Sequence, residues 1–145
     1  MSRIGYGITS SAVGTALIAL ALSGVIIAGF VGQPPEISVQ LQGLYPRGQT
    51  GFIAVQVLNR YLARNLTVYS VSISVARSNP IELLASPTQI SGMRAQALIL
   101  PFGVPWQLAV GSQDYVITVL YARSQFFTFG AEFETTFLSG MITVT

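Results

Sequence analysis

The stretch GFVGQPPEISVQLQG, residues 29–43, decides how this chain is divided. To its left the apolar residues run on without alternation. At its centre Pro34 and Pro35 lack the N–H that a helix needs and clash with the preceding turn, so a helix cannot continue through them. To its right Ile37, Val39 and Leu41 alternate with Ser38, Gln40 and Gln42, the period of a half-buried strand. The expected organisation is α+β: one long N-terminal hydrophobic helix within residues 1–33, then an antiparallel, Ig-like β-sandwich head over residues 34–145.

Going back towards the N-terminus, residues 4–35 contain no acidic or basic side chain. A helix over residues 8–32 would be about 37 Å long at about 1.5 Å per residue, enough to cross a hydrocarbon core of about 30 Å. Leu17, Ile18, Leu20, Leu22, Val25, Ile26, Ile27 and Phe30 go all round it. Such a helix must be surrounded by lipid or by other helices. Gly7, Gly14, Ala21 and Ala28 recur every seven positions, and Gly24, Ala28 and Gly32 every four. Stripes of small residues let helix backbones approach closely, so these six positions are the candidate helix-packing face. A discarded leader would have a stronger basic start than Arg3, a shorter apolar run and a small-x-small cleavage site, so the segment is expected to be retained. A plain membrane anchor and a bundling helix both remain open, with the small-residue stripe favouring the bundle.

Towards the C-terminus, period-two alternation continues. In TVYSVSISVAR, residues 67–77, Tyr69, Val71, Ile73 and Val75 are expected to face one way and Ser70, Ser72 and Ser74 the other. DYVITVLYAR puts Tyr115, Ile117, Val119 and Tyr121 on one face. FFTFGAEFETTF puts Phe127, Phe129, Phe133 and Phe137 on one face, with Thr128, Glu132, Glu134 and Thr136 opposite. TGFIAVQVLNR, RAQALIL, PWQLAV and the terminal MITVT are further strand candidates. YPRGQTG, RYLARN, RSNP, ASPTQISG, PFGVP, GSQD and LSG read as turns. Seven or eight strands with no second helix predict a β-sandwich whose core is aliphatics plus phenylalanines.

Composition narrows the chemistry. Hydrophobic residues make up 51% and charged residues 8% of 145, with a net charge of +2. Roughly a quarter charged is usual for a soluble domain, so Ser and Thr must supply the polar surface. A weakly repulsive surface of that kind suits packing against copies of itself. The seven basic residues are all arginines and are scattered, which argues against a nucleic-acid partner. With no Cys, His or Lys, disulfides, thiolate metal sites and most general-base or nucleophile arrangements cannot be written. No phosphate-binding glycine loop or nucleophile elbow is present. No catalytic residue, metal ligand or cofactor is therefore expected. Glu132 and Glu134 share a strand face and are candidates for cation binding or acid–base work, although a solvated strand face is the plainer reading. Glu82 is expected to pair with an arginine, and Glu36 and Asp114 to solvate turns. Asn65-Leu66-Thr67 is a candidate N-glycosylation acceptor. Trp106 and the tyrosines are expected in the core or at subunit contacts, and the terminal strand is expected to complete its own sheet.

A short polar start, a glycine- and alanine-striped apolar segment and a small cysteine-free β head rich in Ser and Thr together resemble an archaeal type IV pilin or archaellum-type filament subunit. The resemblance implies a homopolymer whose core holds residues 7–32 and whose outer shell is residues 37–145. It implies a membrane-inserted precursor, trimming near Gly5 or Gly7 after Arg3, handling by pilus assembly machinery, and an extracellular filament serving adhesion. The alternative is a membrane-anchored extracellular β-sandwich binding module, such as an archaellum accessory protein.

Overall fold

The computed structural model describes residues 33–124 and 131–145. The proposed helix, with Gly5, Gly7, Gly14, Ala21, Gly24, Ala28 and Gly32, lies outside the described residues, as do Phe127 and Phe129. Among the described residues no helix is long and apolar enough to cross a membrane. What they form is all β: β1 Glu36–Leu41, β2 Thr50–Leu58, β3 Leu66–Val75, β4 Ile81–Glu82, β5 Thr88–Ile90, β6 Ala95–Gly103, β7 Gly111–Ser124 and β8 Ala131–Val144.

Two antiparallel sheets result. One has the order β1-β2-β6; the other has the order β4-β3-β7-β8, with β5 also on β3 beside β4. Alternation dictates what each strand gives to the space between the sheets. Ile53, Val55, Val57, Leu98, Leu100 and Phe102 come from the first sheet, and Leu66, Val71, Ile73, Ile117, Val119 and Ile142 are among those from the second. Tyr45 closes one end of this core. Its ring stands edge-on to Phe102 at 5.9 Å, and its hydroxyl donates to the Phe52 carbonyl and accepts from the Gln42 N–H, each at 2.9 Å.

Five expectations are corrected. Tyr69 does not face the core: the β3–β7 register shifts between Val68 and Ser70, a bulge that leaves Val68 and Val71 buried and Tyr69 outside. PFGVP is not a turn, because Pro101 lies inside β6; as an edge strand, β6 tolerates a residue with no N–H to donate. PWQLAV is not a strand; it connects β6 to β7, and GSQD begins β7 instead of preceding it. LSG is not a turn either. β8 runs unbroken through Leu138, Ser139 and Gly140, so MITVT is the end of that strand.

Continuity of β8 also reverses its faces. Ile142 and Val144 are buried, so the pleat turns the even-numbered residues from Glu134 to Val144 inwards and the odd-numbered ones from Phe133 to Thr143 outwards. Phe133 and Phe137 are 58% and 68% exposed and do not belong to the core. Gly140 is inward where Tyr115 lies across it: a Cβ there would meet the Tyr115 ring at 2.8–3.0 Å.

Candidate interaction surface

The surface is built from the pole at which the chain enters β1. Arg60, just after β2, donates to the Gln33 side-chain oxygen at 3.1 Å and to the Glu36 carboxylate. Both members of the Arg60–Glu36 pair are well exposed, so the pair is worth little in stability, but it fixes where the N-terminal segment joins the sandwich. Glu36 is thus engaged by an arginine beyond its turn-solvating expectation.

Beneath this pole the linker between β2 and β3 is pinned by Asn59, the one fully buried polar side chain among the described residues. Its amide donates to the Arg64 and Ile90 carbonyls at 2.8 and 3.0 Å, and its side-chain oxygen accepts from the Tyr61 N–H at 3.1 Å. Every hydrogen-bonding group of that side chain is used, which is what burial of an amide demands. Asn65, the glycosylation candidate, is exposed on the same linker, next to the start of β3.

At the same pole Arg123 of β7 gathers both β8 carboxylates, Glu132 at 3.3 Å and Glu134 in closer contact. Its guanidinium lies 5.2 Å from the Tyr61 ring centroid, and Tyr121 donates its hydroxyl to Glu134 at 2.8 Å. Burial pulls the Arg123 pKa down, but Tyr61, Glu134 and Glu132 outweigh it and hold the cation above its ordinary value. Glu132, still 54% exposed, and Glu134, 30% exposed, lie opposite Phe133 and Phe137 as expected, and both are tied to one arginine that the sequence did not single out. Glu82, expected to meet an arginine, instead accepts from the Ser70 hydroxyl at 2.6 Å and the Val71 N–H at 3.0 Å, filling the ladder next to the Tyr69 bulge. Trp106 is 70% exposed and lies over Gly48, where its ring occupies the space a Cβ would need and a φ of +73° also favours glycine, so it caps a turn and not the core.

The outward face of the second sheet carries a group of exposed apolar side chains. Phe133 lies beside Ala122 of β7, Phe137 beside Thr118, and Met141, 58% exposed, beside Asp114. Tyr69, pushed out by the bulge, approaches Phe133 with ring centroids 5.2 Å apart. Val116 joins them, while Ser139, Ser72 and Ser74 supply uncharged polar gaps. Alternation places these aromatics in the core, so the surface is not legible in the sequence. Nor are the roles of Asn59 and Arg123.

These elements define a two-sheet antiparallel β-sandwich, joined at one pole to an uncharged apolar N-terminal sequence and carrying an aromatic outer face. No protein-family model matches the chain, and no curated protein matches it either. Among solved structures it is similar to the sporulation control protein Spo0M from Bacillus subtilis, at 9% identity and a TM-score of 0.52 over 77% of this chain and 49% of that one. The chain thus spans about half the length of that relative. A protein from Archaeoglobus fulgidus matches at 8% identity and a TM-score of 0.45, over 79% of this chain and 98% of that one. AggA, the major subunit of aggregative adherence fimbriae type I from Escherichia coli, matches at 8% identity and a TM-score of 0.47, over 80% and 99%. At such identities the likeness is one of fold alone.

Proposed function

We propose that the protein is a non-enzymatic structural subunit of an extracellular, archaeal type IV pilus-like filament serving adhesion. In this reading the apolar N-terminal segments bundle in the filament core and the β-sandwich heads form the shell. The observation that carries it is the joining of two unlike parts: a run of residues 4–35 without one acidic or basic side chain, and a sandwich entered at its pole through Gln33 and Glu36. Such a segment is stable only when enclosed on all sides, and its small-residue stripe suits enclosure by copies of itself. A head-to-tail contact that does not close into a ring gives an open helical polymer. The membrane is then a waiting place, and the assembly machinery extracts each subunit from it.

The test is to shear cells that express the chain, and cells from which its gene is deleted, and to compare the released material by negative-stain microscopy. Filaments that contain the chain and vanish on deletion are the expected result. A chain that stays with the membrane, released only by detergent and with no filament lost on deletion, would identify a membrane-anchored binding module instead.

A further inference from the structure

The outer edge of β8 has a pairing partner at its C-terminal end and none among the described residues along the rest of its length. Residues 45–47 cover that end: the Tyr45 N–H donates to the Thr143 carbonyl at 2.9 Å, the Thr145 N–H to the Tyr45 carbonyl at 3.1 Å, and the Arg47 N–H to the Thr145 carbonyl at 2.9 Å. The backbone groups of Thr143 and Thr145 therefore point away from β7. In an antiparallel strand alternate residues aim both groups to the same side, and the β7–β8 register has no bulge between Ser124↔Ala131 and Gly111↔Val144. Phe133, Thr135, Phe137, Ser139 and Met141 consequently present N–H and C=O at this same edge. Natural edge strands are usually blocked by lysine, proline, a bulge, inward-pointing charges or shortness. β8 is fourteen residues long and has no proline, and its two charged side chains, Glu132 and Glu134, are both paired with Arg123 of its own sheet, leaving residues 135–145 without a charged side chain.

We propose that β8 pairs antiparallel with β8 of a second copy about a two-fold axis at Phe137. The alternate positions Phe133, Thr135, Phe137, Ser139 and Met141 read apolar, polar, apolar, polar, apolar and are symmetric about that residue. Phe133 then lies beside Met141 of the partner subunit, Thr135 beside Ser139 of the partner subunit, and the two Phe137 rings meet on the axis. Each outward residue exchanges both backbone hydrogen bonds with its opposite. On the inward side the same register sets Glu132 against Ile142 of the partner subunit and Glu134 against Gly140 of the partner subunit, so no two carboxylates are forced together. Five apolar and uncharged cross-strand pairs of this kind are the unit that stabilises a sheet. The contact closes on itself and joins copies of opposite polarity, so it does not depend on helix bundling and, in a filament, would link neighbouring filaments laterally.

The chain has no cysteine, which makes the register directly testable in the full-length protein in detergent. Thr135→Cys and Ser139→Cys chains are prepared separately and mixed, and each sample is treated with a short bifunctional maleimide. Directly opposite Cβ atoms lie about 5 Å apart, whereas a position four residues out of register is roughly 13 Å away. Cross-linked dimer is expected in the mixture and in the Thr135→Cys/Ser139→Cys double variant, and not in either single variant alone. Adding Phe137→Lys to the double variant places two like charges on the axis at an exposed position, and should lower the dimer yield at least tenfold while the thermal unfolding curve stays in place. No dimer in the mixture, equal yields from the single variants, or a yield indifferent to Phe137→Lys would each overturn the pairing.

Discussion

Asn59 shows how one side chain organises a connection that hydrophobic pattern cannot. Its amide and carbonyl hold the Arg64 and Ile90 carbonyls and the Tyr61 N–H inside the core. Asn59→Ala is expected to cost about 1–3 kcal/mol, the penalty for leaving buried polar groups unpaired. Denaturant unfolding of the detergent-solubilised chain measures it, and an unchanged midpoint would show that water replaces the amide. Gly140 makes the opposite demand, for absence of bulk. With the Tyr115 ring against it, Gly140→Val must displace an aromatic from a packed layer, an overpacking cost of about 1–3 kcal/mol. Thermal unfolding that loses nothing in that variant would mean the ring has a second position to occupy.

At the scale of the element, β8 marks where the sequence was legible and where it was not. Alternation identifies β1 and the inward face of β7, where the apolar residues at every second position are the inward ones: Tyr115, Ile117, Val119 and Tyr121 are all buried. In β8 the two sets conflict. Phe133 and Phe137 favour one phase, Leu138, Ile142 and Val144 the other, and Ser139-Gly140 resembles a turn that would let both be satisfied. Tyr115 packed on Gly140 removes the turn, and Arg123 makes inward Glu132 and Glu134 tolerable, so the aliphatic end sets the phase for the whole strand. The Tyr69 bulge was hidden for a similar reason: Tyr69, Val71, Ile73 and Val75 alternate without a fault, and only pairing with β7 reveals the extra residue. The phase is open to direct measurement. Phe137→Ser should change stability by less than about 0.5 kcal/mol, as at an ordinary surface position, whereas Ile142→Ala should cost roughly 2–5 kcal/mol. A reversal of that order would restore the phenylalanines to the core.

For the whole molecule, the head is held by a core in which four tyrosines keep their hydroxyls out of bulk water. Burial raises the pKa of Tyr45, Tyr61, Tyr115 and Tyr121 above the ordinary tyrosine value, with Arg123 pulling back on Tyr61 and the Gln42 N–H on Tyr45. A raised folded-state value means that the stability tied to the neutral hydroxyl is fully present below the unfolded value, near 10, and is lost as pH rises through the folded ones. Alkaline titration should therefore show tyrosinate absorbance and loss of β circular dichroism rising together above about pH 10. Tyrosines that ionise at their ordinary pH with the sheet signal intact would contradict their enclosure. The layout of the chain, an uncharged segment followed by a strand-rich head, was plain from the sequence, because a change of period and two prolines are local signals. The aromatic outer face was not, because it depends on which strand lies beside which.

Whether the apolar N-terminal segments enclose one another is decided by Gly24→Leu. Gly24 lies on the small-residue stripe, and a leucine there keeps the segment as apolar as before while removing close backbone approach. Sheared-filament yield should fall to the level of the gene deletion, with the amount of chain in the membrane fraction unchanged. Normal filaments from cells carrying only Gly24→Leu would contradict that mutual enclosure.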